Sequence, residues 1–254
     1  MITTHVTDGI ASLELNRPEV RNAINKDLCD AISRTLDLWA AQDEVRAVII
    51  SGAGGKAFAA GADIAELKDR THSQAFLAWT QRMLQQVEDF PRPTIAAIDG
   101  YALGGGLELA LACDLRVASK TAKVGMPEVT LGIFPSAGGT YRLPRLVGLG
   151  RAKELVYTGR IVNADEAAAW GLFESLVETD AKAEAMRIAK QIVANDPLAV
   201  QVAKVSLNAA ARVNAAPLEW LGQGLLFDSA DKRERMTAFL ERSEERRVGK
   251  ECCR

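Results

Sequence analysis

The chain has 254 residues, 48% hydrophobic and 25% charged with a formal net charge of −2, the profile of a globular protein able to bury one substantial core. No run approaches the roughly 20 apolar residues that a membrane helix requires, and Met1-Ile2-Thr3-Thr4-His5 lacks the basic-then-apolar pattern of a leader, so the expectation is a cytoplasmic protein that engages no membrane. Interspersed charge of both signs offers nucleic acid no global attraction. Cys29, Cys113, Cys252 and Cys253 lack C-x-x-C spacing and the histidines are only His5 and His72, so neither a metal site, a disulfide framework nor a Ser-His-Asp triad is indicated.

Residues 2–6 and 10–15 alternate apolar and polar positions around Asp8-Gly9, which predicts a hairpin. A helical period over residues 25–41 runs through Leu28, Ile32 and Leu36, and residues 45–51 follow as a buried strand. Gly52-Ala53-Gly54-Gly55-Lys56 resembles a phosphate loop only superficially, because Ala57 stands where Ser or Thr is needed. Residues 57–64 are small enough to bring backbone close to a ligand, or simply to pack as a tight turn, and Asp63 is placed to start a helix.

Helical spacing over residues 71–90 ends at Pro91 and Pro93, and residues 94–98 form a strand. That strand feeds Asp99-Gly100-Tyr101-Ala102-Leu103-Gly104-Gly105-Gly106-Leu107-Glu108 and a short apolar helix over residues 107–113. Glycines opening a helix allow backbone N–H groups and the helix dipole to converge on a developing oxyanion, and Glu108 in the first turn either caps the helix or does chemistry. Residues 114–118 read as a strand and 123–125 as a short extended piece. Pro127 then places a second acid, Glu128, where the chain turns.

Residues 135–140 form another small-residue turn before helical stretches at 141–147, 152–157 and 164–170, a strand at 172–177, and an all-helical pattern from Asp180. Composition shifts from mixed α/β to all-α near residue 195, and the last thirteen residues, charged at eight positions, lack apolar periodicity.

Several of these stretches, in this order, resemble the crotonase (enoyl-CoA hydratase/isomerase) family. They are Asn16-Arg17-Pro18 with Arg21-Asn22-Ala23, residues 57–64, residues 100–110, Gly125-Met126-Pro127-Glu128 with Leu131-Gly132, and Gly138-Gly139-Thr140. The resemblance implies an α/β spiral of ββα units over residues 1–195, a helical trimerisation or lid segment over 196–242, and assembly as trimers or paired trimers. It stops after Arg242, which makes residues 243–254 a candidate foreign or disordered tail.

The resemblance further implies an acyl-coenzyme A substrate, CoA entering as part of it, with no metal or separate cofactor. Ala62 and Gly105 match the oxyanion-hole donors. Glu108 matches the acid that holds water, and Glu128 the one that serves the Cα proton. Arg21, Ala23, Ala60, Asp63, Ile64 and Arg242 match the CoA contacts, although Arg235 stands where the family often has glycine before Met236. The expected reaction is reversible addition of water to a trans-2-enoyl-CoA, with double-bond isomerisation or another crotonase reaction as the alternative. One relative in the family binds RNA through a lysine-rich first helix. Here the matching helix sets Asp27, Asp30 and Asp37 against Lys26 and Arg34, which lacks the basic face that phosphate neutralisation needs.

Overall fold

The fold begins at the Asp8-Gly9 turn, where both residues adopt positive φ and join β1 (Ile2–Thr7) to its antiparallel partner β2 (Ile10–Leu15). The computed structural model describes residues 1–68 and 77–210, together with Glu234 and Glu241. It divides into two compact units, Met1–Val193 and Ala194–Arg254, and everything that follows except one helix belongs to the first. Arg242, the tail from residue 243, and the start of the helix expected over 71–90 lie outside the described residues. Among the described residues no helix is long and apolar enough to cross a membrane.

After β2 come helix α1 (Lys26–Ala40), β3 (Ala47–Gly52), β4 (Ala57–Ala59), α2 (Ile64–Lys68) and α3 (Trp79–Glu88). The next repeat is β5 (Thr94–Ile98), β6 (Tyr101–Leu103) and α4 (Gly105–Ala112), and the third is β7 (Leu115–Ser119), β8 (Lys123–Gly125) and a 3₁₀ turn at Pro127–Leu131. Helices α5 (Gly139–Val147) and α6 (Leu149–Thr158), strand β9 (Ile161–Asn163), α7 (Ala164–Ala169), β10 (Ser175–Val177) and α8 (Ala181–Val193) complete this unit, and α9 (Pro197–Ala210) lies in the second.

Two sheets result, ordered β1-β2-β3-β5-β7-β10 and β4-β6-β8-β9. Within the pairs β3–β4, β5–β6 and β7–β8 the first strand joins the large sheet and the second the small one, so the chain winds as a spiral. This is the expected ββα architecture. Every residue of β5 is buried, as suits a parallel strand covered on both faces. On one face Val48, Ile50, Ala96 and Ile98 join the main core with Leu28, Ile32 and Leu36 of α1. On the other, Ile49, Ile95 and Val117 meet Ala181, Ala185 and Ala189, whose i, i+4, i+8 spacing lines one side of α8 with small side chains.

Strands β4, β6 and β9 are not foreseen from sequence; like β8, which falls on the extended piece expected at 123–125, they have three residues, too few for alternation to register. The last strand starts at Ser175 and not at Leu172, since the Leu172 N–H closes α7 by donating to the Ala167 carbonyl.

One buried side chain ties this frame to the loop that carries the site. Asn22, at φ 58°, accepts from the Arg17 N–H (2.9 Å) and donates to the carbonyls of Ala53 (3.0 Å) and Ala57 (2.8 Å). Asn tolerates this left-handed backbone, whereas Ala is strained there and would leave buried polar groups unpaired. Asn22→Ala is therefore expected to lower stability by about 2–4 kcal/mol, read from urea unfolding, and a loss under about 0.5 kcal/mol would contradict that role.

Candidate active site

The first N–H donor is set by a single β-bridge. Ile24 pairs with residue 62 in parallel, its N–H donating to the Gly61 carbonyl (2.8 Å) and its carbonyl accepting from the Asp63 N–H (2.9 Å). In extended backbone successive N–H groups point to opposite sides, so the Ala62 N–H is turned away from Ile24. It faces α4: a Cβ built on Gly105 would stand 3.6 Å from the Ala62 nitrogen. Gly105 opens α4, so its N–H is one of the helix's free N-terminal donors. The two expected donors thus lie close together at the positive end of a helix.

Close backbone contact makes this possible. A Cβ on Gly106 would lie 2.0 Å from the Ala59 carbonyl oxygen, so no side chain fits where α4 presses against β4.

Glu108 is 3% exposed. Its Oε1 accepts from the N–H groups of Ala137 (2.8 Å) and Gly139 (2.9 Å), while Oε2 lies 4.0 Å from the same Gly105 Cβ position. It does not cap its own helix: α4 has no side-chain cap. Glu128, 9% exposed in the 3₁₀ turn, approaches the preceding glycine, with Oε1 2.9 Å from where a Gly104 Cβ would stand. Its Oε2 is buried without a hydrogen-bond partner among the described residues.

The two carboxyls are electrostatically unequal. Burial pushes Glu108 above the usual carboxylate range, but the Gly139 and Ala137 N–H groups and the Arg142 guanidinium oppose the rise. Burial pushes Glu128 up to about 7, opposed only by its own backbone N–H and reinforced by the facing charge of Glu108. Both carboxyls hold a proton more tightly than a free glutamate, and Glu108 alone has two N–H groups and a cation opposing the rise.

A cavity of about 340 Å³ joins these parts. Ala60, Ala62, Gly105, Glu108 and Glu128 line it, and Ile64, Leu67, Leu131, Ile133 and Phe134 give it apolar walls. Of the expected CoA contacts, Ala60 and Ile64 reach the wall, whereas Arg21, Ala23 and Asp63 are not part of it. Arg17 donates to the Ala23 carbonyl (2.6 Å) and to Asp63 Oδ2 (3.2 Å), and Asp63 Oδ1 accepts from the Ala65 N–H (3.2 Å). The Arg21 carbonyl accepts from the Ala60 N–H (3.0 Å), and its guanidinium lies 5.9 Å from the Tyr101 ring centroid. These residues hold the donor loop in place. Among the described residues no group of three or more His, Cys, Asp or Glu side chains is placed to hold a metal ion.

In the sequence Arg17 and Asn22 stand out only within the motifs of the family resemblance, and Arg142 not at all. The last still had a visible signal: Gly139, Arg142, Leu143 and Val147 form the buried stripe of α5, with a cation inside it.

Backbone N–H groups and two buried acids beside one cleft are the kinds of group that acyl-transfer and proton-transfer chemistry on a carbonyl compound requires. Residues 5–247 match the family model described as enoyl-CoA hydratase/isomerase. The crotonyl-CoA hydratase of Syntrophomonas wolfei is 42% identical over 92% of this chain and 93% of its own. The protein named enoyl-CoA isomerase/hydratase fer4 of Mycosarcoma maydis is 43% identical over 91% and 89%. The crystal structure of enoyl-CoA hydratase from Bacillus anthracis superposes with a TM-score of 0.91 at 38% identity, covering 95% of this chain and 96% of that one. The chain belongs to the enoyl-CoA hydratase/isomerase family and has the crotonase fold.

The Glu128 environment has a consequence for stability. Its carboxyl binds a proton more tightly in the folded chain, at about 7, than its ordinary value of 4.5, so this contribution is complete below about pH 4.5 and is lost as pH rises through about 7. The thermal midpoint of Glu128→Gln minus that of the wild type should therefore grow between about pH 5 and about pH 8. A constant difference across that range would contradict the assignment.

Proposed function

We propose that the protein is an enoyl-CoA hydratase, adding water reversibly and with syn geometry to a trans-2-enoyl-CoA to give a 3-hydroxyacyl-CoA. The observation that carries this is the placement of Glu108 and Glu128 beside Gly105 and Gly104 in one apolar cavity with the Ala62 N–H. In this reading the thioester oxygen accepts from Ala62 and Gly105, which stabilises the enolate character that develops as Cβ is attacked. Glu108, its Oε1 occupied, holds water through Oε2 and takes a proton from it as the water oxygen bonds to Cβ. Glu128, protonated near neutrality, delivers its proton to Cα. The catalytic groups are carboxyls and backbone amides, and coenzyme A enters as part of the substrate.

Arg21, Ala23, Ala60, Asp63, Ile64 and Arg242 are proposed CoA contacts, the first five through the loops at residues 17–24 and 60–64. Assembly as a trimer or pair of trimers, a cytoplasmic setting and a place in fatty acid β-oxidation belong to the same proposal. A second reading, enoyl-CoA isomerisation, is favoured by the doubly named Mycosarcoma maydis relative. It needs chiefly one base moving a proton between Cα and Cγ.

Loss of absorbance of the conjugated thioester, followed with crotonyl, longer-chain and carboxylated enoyl-CoAs, separates these readings. Hydration is expected, with kcat falling as pH rises through about 7 and Glu128 loses its proton. Glu108→Gln and Glu128→Gln should each lower kcat by at least about 100-fold while acyl-CoA binding persists. A flat result across the substrates with CoA binding intact would contradict hydration, and Glu108→Gln sparing most activity would favour isomerisation.

A further inference from the structure

The buried ion pair behind Glu108 is not explained by the fold alone. Arg142, on α5, is 4% exposed and is absent from the cavity wall among the described residues. Its Nη1 donates to the Ala137 carbonyl (3.0 Å), its Nε to Glu88 Oε2 on α3 (3.0 Å), and its Nη2 to Glu88 Oε2 and Gln85 Oε1 (3.4 Å). The guanidinium also lies 4.8 Å from the Tyr141 ring centroid. Residues 137–139 are thus gripped from two sides, their N–H groups by Glu108 and the Ala137 carbonyl by Arg142. Glycine is required between the grips: Gly138 has φ 115°, and a Cβ there would stand 2.0 Å from Arg142 Nη1.

We propose that Arg142, locked by Glu88, is a positioning residue that fixes the Glu108 carboxyl beside the donor pair by holding the far side of residues 137–139, without touching the acyl-CoA. This rests on the reading of Glu108 as the group that holds water. Planar, forked donation suits the role, because three nitrogens reach three different acceptors in one rigid plane. The pair also sets the local charge. The charged groups facing Glu108 are Arg142 from α5 and Glu128 from the 3₁₀ turn, with Glu88 of α3 acting through Arg142.

The test uses the full chain with Arg142→Lys, Glu88→Gln and the double variant Arg142→Met/Glu88→Gln. Each is compared with wild type by thermal unfolding, hydration kinetics and ¹³C NMR titration of labelled glutamate side chains, with Glu108→Gln assigning the Glu108 signal. Expected is a fall in kcat of about 10- to 100-fold with KM changed less than about twofold, because the thioester donors are undisturbed. The Glu108 titration should move in opposite directions: downward in Glu88→Gln, where the guanidinium charge is unbalanced, and upward in the double variant, where the cation is gone. Arg142→Lys, which keeps charge but loses the fork, should lose rate while Glu108 titrates near its wild-type position.

Folded variants with wild-type kcat would overturn the proposal, as would an unmoved Glu108 titration in Glu88→Gln and the double variant, or rate losses that follow only the loss of folded protein. Where Glu88→Gln fails to fold, the neutral double variant and Arg142→Lys carry the same test. Should the wild type hydrate no enoyl-CoA, the functional reading fails, while the NMR titration still decides whether Arg142 and Glu88 govern Glu108.

Discussion

The site depends on one close approach, the backbone of α4 against β4, where Gly106 packs on the Ala59 carbonyl. That contact brings the first N–H groups of α4 opposite the Ala62 N–H, which the Ile24 bridge has already turned outward. Neither donor lies on a flexible side chain. Both are backbone groups held by ladders and packing, so little reorganisation would be needed were charge to develop on an oxygen between them, as the proposed reaction requires. Asn22 and Arg17 extend the same constraint by tying the loop at residues 17–24 to β4 and to the start of α2.

Onto this fixed pair of donors the fold brings two carboxyls with different surroundings. Glu108 is anchored through one oxygen by two N–H groups and lies near a cation. Glu128 has a buried oxygen without a partner among the described residues and a neighbour of like charge. Burial alone would raise both. Hydrogen bonding opposes that rise at Glu108 far more than at Glu128, so the division of labour proposed for them, one holding water and the other carrying a proton, would follow from environment and not from residue type.

Much of this was legible in the sequence. The Asp8-Gly9 hairpin, the α1 stripe, the buried strands read at 94–98 and 114–118, and the glycine turn leading to Glu108 follow from periodicity, turn chemistry and prolines. The short strands β4, β6 and β9 did not, because pairing in the second sheet decides them and three residues carry no period. The question of whether Glu108 caps a helix could be answered only in three dimensions: its partners, Ala137 and Gly139, lie 29 and 31 residues away. Likewise Arg142 and Glu88 meet across 54 residues, a separation that local pattern cannot reveal, although a cation inside an apolar stripe was a visible clue.

The most direct test of the account is a structure of the protein with a saturated, unreactive acyl-CoA such as butyryl-CoA. The account predicts a thioester oxygen about 2.7–3.1 Å from both the Ala62 and Gly105 nitrogens, with Cα facing Glu128 and Cβ facing Glu108. A thioester bound away from these two nitrogens, or an acyl chain that meets only one of the two glutamates, would contradict it.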